Sequence, residues 1–421
     1  MNNAFFNKAR PIFIQKNTSE PVVSCGYRAD FTADGDGETV KLNITGRSFY
    51  RLYINGVIVM HGPARTAKGY LRVDELDISR HVKKGINFIA IEQISFANPY
   101  GGYSNDITLE DGTIIFELFD ADGKTLAYSS EDTYAVLLKN RHKKTERRTH
   151  CREATEVWNI DESYFGWRCG EIGADFIKST VVPENFKLLP RRMRYPEMKR
   201  ETGAFLSEFG TFSRSGEYEP KFYEKPILAS YSEYEDRVLR DINLTCEKAG
   251  NADVRYIRDG VAVQVKNNAF LSYDFNESFV GFVGFTVKTD GDIMIDIVAT
   301  EIYDTDGAPL YEFNTGTRLY IKKGSYSFVR FDPALARYIR LYITGNAAVE
   351  ITDLHILTYS YPDLHEGFFT CSDDDVNRLY NAARKTLILN TLDIFMDCPD
   401  RERGGWLCDS YWTARAAALM L

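Results

Sequence analysis

The residues with the most chemistry to offer lie near the C-terminus, in Asp397-Cys398-Pro399-Asp400-Arg401-Glu402-Arg403-Gly404-Gly405-Trp406-Leu407-Cys408-Asp409. Carboxylates, guanidinium groups and a large aromatic at this density suit the cleavage of a glycosidic bond. That reaction needs one carboxyl group to protonate the leaving oxygen and a second to activate water or attack. Glu402 is the candidate proton donor. Asp397, Asp400 and Asp409 nearby would raise its proton affinity by like-charge repulsion, and Arg401 and Arg403 would lower it. The balance is open at this level, with the expectation that at least one arginine turns away to another carboxylate. Asp397 and Asp409 suit the acceptance of hydrogen bonds from sugar hydroxyls, and Trp406 offers a flat apolar face to the C–H side of a sugar. The plainer alternative is a structural ion-pair network in a loop between helices. Pro399 and Gly404-Gly405 weigh against it, because they fix an irregular turn that presents side chains inward at a helix terminus.

The elements that must carry this segment are helical. Ser372 reads as a helix N-cap with Asp373, Asp374 and Asp375 in the first turn, where negative charge favours the positive end of the helix. Val376, Leu379, Tyr380, Ala383 and Leu387 then recur at helical spacing, to about Asn390. A second helix begins near Asp409 or Ser410 and reaches Leu421.

Upstream of Pro362 the pattern is β. The runs Ser48–Ile54 and Val57–Met60 flank Asn55-Gly56, a strong hairpin signal because both residues tolerate positive φ. Ile86–Ile91, Thr113–Phe119 and Thr133–Leu138 follow, with a turn at Asp122-Gly123. Five prolines (183, 190, 196, 220 and 226) mark 171–240 as a connector wrapped along domain surfaces. Ala269–Phe275, Gly281–Val287, Ile293–Val298, Tyr338–Ile343 and Val349–Leu357 form a second β domain, with Asp290-Gly291 read as a hairpin turn. The expected organisation is a lead segment at 1–20, a β-sandwich at 21–170 (sugar-binding-like by the family resemblance given below), the connector at 171–240 and a second β-sandwich at 241–362. An α part follows at 363–421.

Composition narrows the function classes. A chain of 421 residues suggests roughly two to four domains. A net charge of −9 argues against nucleic acid as the main partner. No apolar run approaches the ~20 residues of a membrane span. Seven cysteines, an odd number without framework spacing, read as free thiols of a reducing compartment. The expected location is therefore the cytoplasm, with the periplasm open if a signal peptide was removed before residue 1. The histidines lack zinc-ligand spacing, Asp304-Thr305-Asp306-Gly307 reads as an ordinary turn, and Cys398 and Cys408 read as packing residues. Neither a metal nor a cofactor is expected, and a homodimer is left open.

The 397–409 segment closely resembles the signature of the bacterial α-L-rhamnosidases of glycoside hydrolase family 78. Leu271–Phe282, Glu366–Tyr380 and Arg51–Gly56 with Tyr70, Asp77 and Gly85 extend the likeness over nearly the whole chain. Two departures stand out: Cys408 replaces a usual glycine, and one acidic residue rather than two separates Arg401 from Arg403. The resemblance implies two jelly-roll-like β-sandwiches followed by the first helices of an (α/α)6 barrel. It also implies inverting removal of terminal α-linked L-rhamnose. Glu402 then takes the general-acid position, and Asp397, Arg401, Trp406 and Asp409 line the sugar site. The family's general base lies further along its barrel, so the expectation is a chain that ends early in the catalytic domain and is inactive by itself. The alternative is a carbohydrate-binding β-sandwich protein without catalysis, for which Tyr70, Tyr100 and Tyr103 would serve as exposed aromatics.

Overall fold

A computed structural model of the chain describes residues 4–14, 22–96, 112–145, 148, 152–170, 172–214, 244–248, 253–302, 316–363 and 367–421. Tyr100, Tyr103 and the Asp304–Gly307 turn lie outside the described residues. The chain is mainly β with helices at its C-terminal end. Two compact units form, one from residues 1–144 and 162–192, the other from 145–161 and 193–421. Among the described residues no helix is long and apolar enough to cross a membrane.

The first unit contains two sheets. One, of seven strands, runs Thr180–Val181, Ile12–Phe13, Ile114–Phe119, Lys41–Gly46, Tyr70–Asp77 and Lys187–Pro190, with Thr125–Tyr128 paired to Ile114–Phe119. The other, of six strands, runs Ile177–Lys178, Tyr134–Leu137, Val22–Ala33, Gly85–Phe96, Phe49–Ile54 and Val57–Gly62. Alternation explains the burial: Leu42 and Ile44 are enclosed, while Lys41 is exposed and Asn43 is half-buried. The Asn55-Gly56 hairpin forms as expected, with φ of 51° and 81° at its two central residues. Both values are positive, the backbone of a turn whose twist matches the flanking strands.

The second unit is built on one connected sheet of ten strands. Its two long members are Gly260–Thr289 and Ala334–Thr358. Three expectations change here. The strand Glu156–Ile160, expected in the first sandwich, pairs in parallel with Thr317–Ile321 in the second unit. Its buried Val157, Trp158 and Ile160 and the buried carboxylate of Glu156 explain why. That carboxylate accepts from the Phe331 and Asp332 amides at 2.9 and 2.8 Å, groups only this unit supplies. The segment 171–240, expected as a connector, is divided in its described part between the units, because Lys187–Pro190 pairs with Tyr70–Val73 and Phe205–Arg214 with Gly260–Thr289. Asp290-Gly291 is not a hairpin turn. The stretches on either side of it both run antiparallel to Ala334–Thr358, Thr289 opposite Val349 and Ile293 opposite Gly345, so the chain continues in one direction.

The short helix α1 spans Ser163–Gly166, and the C-terminal helices α2 and α3 span Asp374–Leu389 and Leu407–Met420. Asp373 rather than Ser372 caps α2. Its carboxylate accepts from the Asp375 and Val376 amides at 2.9 and 3.3 Å, satisfying donors that have no partner within the helix. Arg384 of α2 pairs with Asp363 and donates to the Met420 carbonyl of α3 at 3.1 Å. Gly367 sits so close to Met420 that a Cβ would meet its backbone at 2.7 Å. Within α2 only Leu387 and Ile388 are buried, and Leu379 is 69% exposed.

Candidate active site

The connection between α2 and α3 carries every candidate residue except Asp409. It leaves α2 through Asn390 and is pinned to the sheet by Leu392 and Met396, which pack with Phe282 and Tyr359. The chain then closes on itself. The Asp397 amide donates to the Gly404 carbonyl at 2.9 Å, and the Gly404 amide donates to Asp397 Oδ1 at 2.8 Å. Inside this loop Arg403 Nη1 donates to the Pro399 carbonyl at 2.8 Å. The Glu402 amide donates to Cys398 Sγ at 3.3 Å, and that thiol donates to Asp397 Oδ2 at 3.3 Å. Arg403 has a φ of 54°, a conformation costly for a side-chain-bearing residue and held here by these bonds.

Glu402 is 9% exposed. Its carboxylate accepts from Trp406 Nε1 at 2.8 Å and pairs with Arg401 Nη2 at 3.0 Å. Arg401 Nη2 is also 3.7 Å from Asp397 Oδ2. Burial pulls the Arg401 guanidinium down, but Glu402, Cys398 and Asp397 together outweigh it and hold the group above its ordinary value. Trp406 explains one glycine and Ile394 the other. A Cβ on Gly404 would stand 2.9 Å from the indole Nε1, so only glycine lets the ring fold back to reach Glu402. A Cβ on Gly405 would meet Ile394 Cδ1 at 2.9 Å.

The structure thus brings Asp397, Arg401, Glu402 and Trp406 into one hydrogen-bonded group. Asp409 is exposed, in the first turn of α3, where its charge favours the helix dipole. α3 starts at Leu407, two residues earlier than expected, because Trp406 takes the extended N-cap conformation with ψ of 135°. Arg403 Nη1 is held on the Pro399 carbonyl. Neither cysteine is simply a packing residue: Cys398 joins the loop's hydrogen bonds and Cys408 is exposed. Arg152 was not indicated by the sequence, yet its Nη1 donates to the Asp400 carbonyl at 2.5 Å. A separation of 248 residues leaves no local spacing from which to read that contact.

Residues 365–421 match the bacterial α-L-rhamnosidase six-hairpin glycosidase domain. An α-L-rhamnosidase of Formosa agariphila is 27% identical over 150 residues, which cover 33% of this chain and 16% of the relative. The fold is similar to that of the family 78 rhamnosidase of Bacillus sp. GL1, with a TM-score of 0.78 at 17% identity. This chain is similar in fold to the family 78 α-L-rhamnosidases, and its C-terminal stretch matches their six-hairpin glycosidase domain. The Bacillus likeness covers 98% of this rhamnosidase-like chain and 61% of the Bacillus chain. A Streptomyces avermitilis α-L-rhamnosidase, solved with L-rhamnose, is similar with a TM-score of 0.53 at 16% identity, over 92% of this chain and 33% of that one. The rhamnosidase-like protein therefore spans less than two thirds of the length of each of these relatives.

Proposed function

We propose that the 397–406 loop is the proton-donating half of a glycoside hydrolase site that removes terminal α-linked L-rhamnose from saccharides or glycosides with inversion. Glu402 is the general acid. The observation that carries this reading is the Glu402–Trp406 hydrogen bond within the stretch that matches the six-hairpin glycosidase domain. It sets an enclosed carboxyl group beside a half-exposed indole face, the pairing a sugar needs at its leaving oxygen and its C–H side. The Streptomyces relative's complex with L-rhamnose supports the choice of sugar.

At rest Arg401 and Trp406 both donate to Glu402, so its carboxyl serves as an acceptor. In this reading Arg401 moves toward Asp397, already 3.7 Å away, when a sugar enters. Glu402 is then free to carry its proton to the leaving oxygen, while Asp397 and Asp409 accept from sugar hydroxyls. Inversion requires a second carboxylate across the sugar, roughly 6.5–9.5 Å from the first, to activate water. None of the residues assigned here fills that role. The 421 residues alone are therefore expected to show no turnover of an aryl α-L-rhamnoside above the uncatalysed rate. In an active protein that includes them, Glu402→Gln should lower kcat by about 10²–10⁴-fold on a rhamnoside with a poor leaving group. The first sugar released should be the β-anomer by NMR. A Gln variant that cleaves such a substrate as fast as its parent would end this reading.

A further inference from the structure

The bonds within the 397–404 loop fix its shape but not its place. One that bears on its place comes from far away in sequence: Arg152 Nη1 donates to the Asp400 carbonyl at 2.5 Å, two residues before Glu402. The other side of the same guanidinium is held by its neighbour. Nε lies 3.3 Å from both Glu153 carboxylate oxygens, and Nη2 lies 3.0 Å from Oε1. Both side chains are buried. Burial pushes the Glu153 carboxyl up, but the Arg152 charge and hydrogen bonds outweigh it and hold the group down at about 2. Burial likewise works against the Arg152 charge, yet Glu153 and then Asp400 keep it well above the ordinary arginine value. A planar guanidinium gripped on one edge can aim its other edge in only one direction. The backbone behind it is anchored too. The Arg148 amide donates to the Glu153 carbonyl at 3.0 Å, and Thr145 Oγ1 donates to the Thr155 carbonyl at 2.7 Å. Glu156 then begins the strand paired with Thr317–Ile321.

We propose that Arg152 is a positioning residue for the acid: by holding the Asp400 carbonyl it ties the Glu402 loop to the edge of the ten-stranded sheet and sets where the carboxyl group is presented. This rests on the reading of Glu402 as proton donor. Releasing the carbonyl lets the loop drift, and Glu402 and its partner Trp406 move with it. A misplacement of about 1 Å at such a group can cost on the order of 100-fold in rate.

The test uses the whole chain labelled with 5-fluorotryptophan, which gives one ¹⁹F signal for each of Trp158, Trp167, Trp406 and Trp412. Single Trp→Phe variants assign them. Glu402→Gln changes the acceptor of the indole N–H and should move the Trp406 signal, which shows that this signal reports the contact. Arg152→Lys keeps a cation for Glu153 but has no second edge for Asp400, and Arg152→Met removes both. In both variants the Trp406 signal should shift or split, with Trp158 unchanged. An unaltered Trp406 signal in Arg152→Lys would overturn the proposal. So would loss of the Trp158 signal in both variants, because Arg152 would then hold the fold rather than the loop. The acid role itself is decided by hydrolysis in Glu402→Gln, so the two ideas fail by different measurements.

Discussion

At the scale of single residues, the loop works because one aromatic ring and one glycine fit each other. Trp406 reaches the Glu402 carboxylate only across Gly404. Trp406→Phe removes a hydrogen bond to a charged, enclosed group and should cost about 1.5–3 kcal/mol in urea unfolding. Gly404→Ala pushes the same indole away and should lose a similar amount, and the double variant should lose far less than the sum. Additive losses would show that the two positions act separately. Glu153 gives the clearest pH dependence. Its folded value is depressed to about 2 by Arg152, so its contribution is complete above the ordinary carboxylate range. That contribution is lost as pH falls from about 4.3 toward the folded value. Stability measured between pH 5 and 2 should therefore fall less steeply in Glu153→Gln than in the parent (on the order of one proton's slope).

At the scale of elements, helix α2 depends on its cap and the sheet depends on close approach. Asp373→Ala leaves the Asp375 and Val376 amides without their acceptor and should destabilise α2 by about 1 kcal/mol, read as faster amide exchange in its first turn. Ser372→Ala should have almost no effect, which separates the observed cap from the one expected from sequence. Gly281 lies where the two longest strands cross paths, opposite both Ala334 and Thr358. A Cβ there would run into the Leu357 carbonyl oxygen. Gly281→Ala should lower the melting temperature of the second unit by several degrees, about what 1–3 kcal/mol gives.

At the scale of the whole molecule, the uneven burial of α2 and α3 stands out. Leu379 of α2 and Leu407, Trp412 and Leu419 of α3 are each more than half exposed. Exposed apolar side chains in such number on adjacent helices favour association and dye binding. A hydrophobic dye should fluoresce with the parent chain, and Leu407→Glu with Leu419→Lys should cut that signal while changing stability by less than about 0.5 kcal/mol per site. An unchanged dye signal would place the apolar surface elsewhere.

Much of the molecule was legible before any coordinates. Turn chemistry at Asn55-Gly56 located the strand pair on either side of it, because such a signal depends on the backbone preferences of a few adjacent residues. Residue types drew attention to Glu402, Asp397 and Trp406, the family resemblance added Arg401, and the acidic run at 373–375 announced α2 to within one residue. Tertiary pairing decided the rest. Whether Asp290-Gly291 reverses the chain depends on which strand lies beside it, and residues 334–358 supply a common partner to both flanks. Residues 156–160 join the second unit, where the Phe331 and Asp332 amides, with Trp158 Nε1, satisfy the buried Glu156 carboxylate. The hold of Arg152 on Asp400 likewise spans 248 positions, a distance over which hydrogen bonding leaves no trace in local sequence pattern.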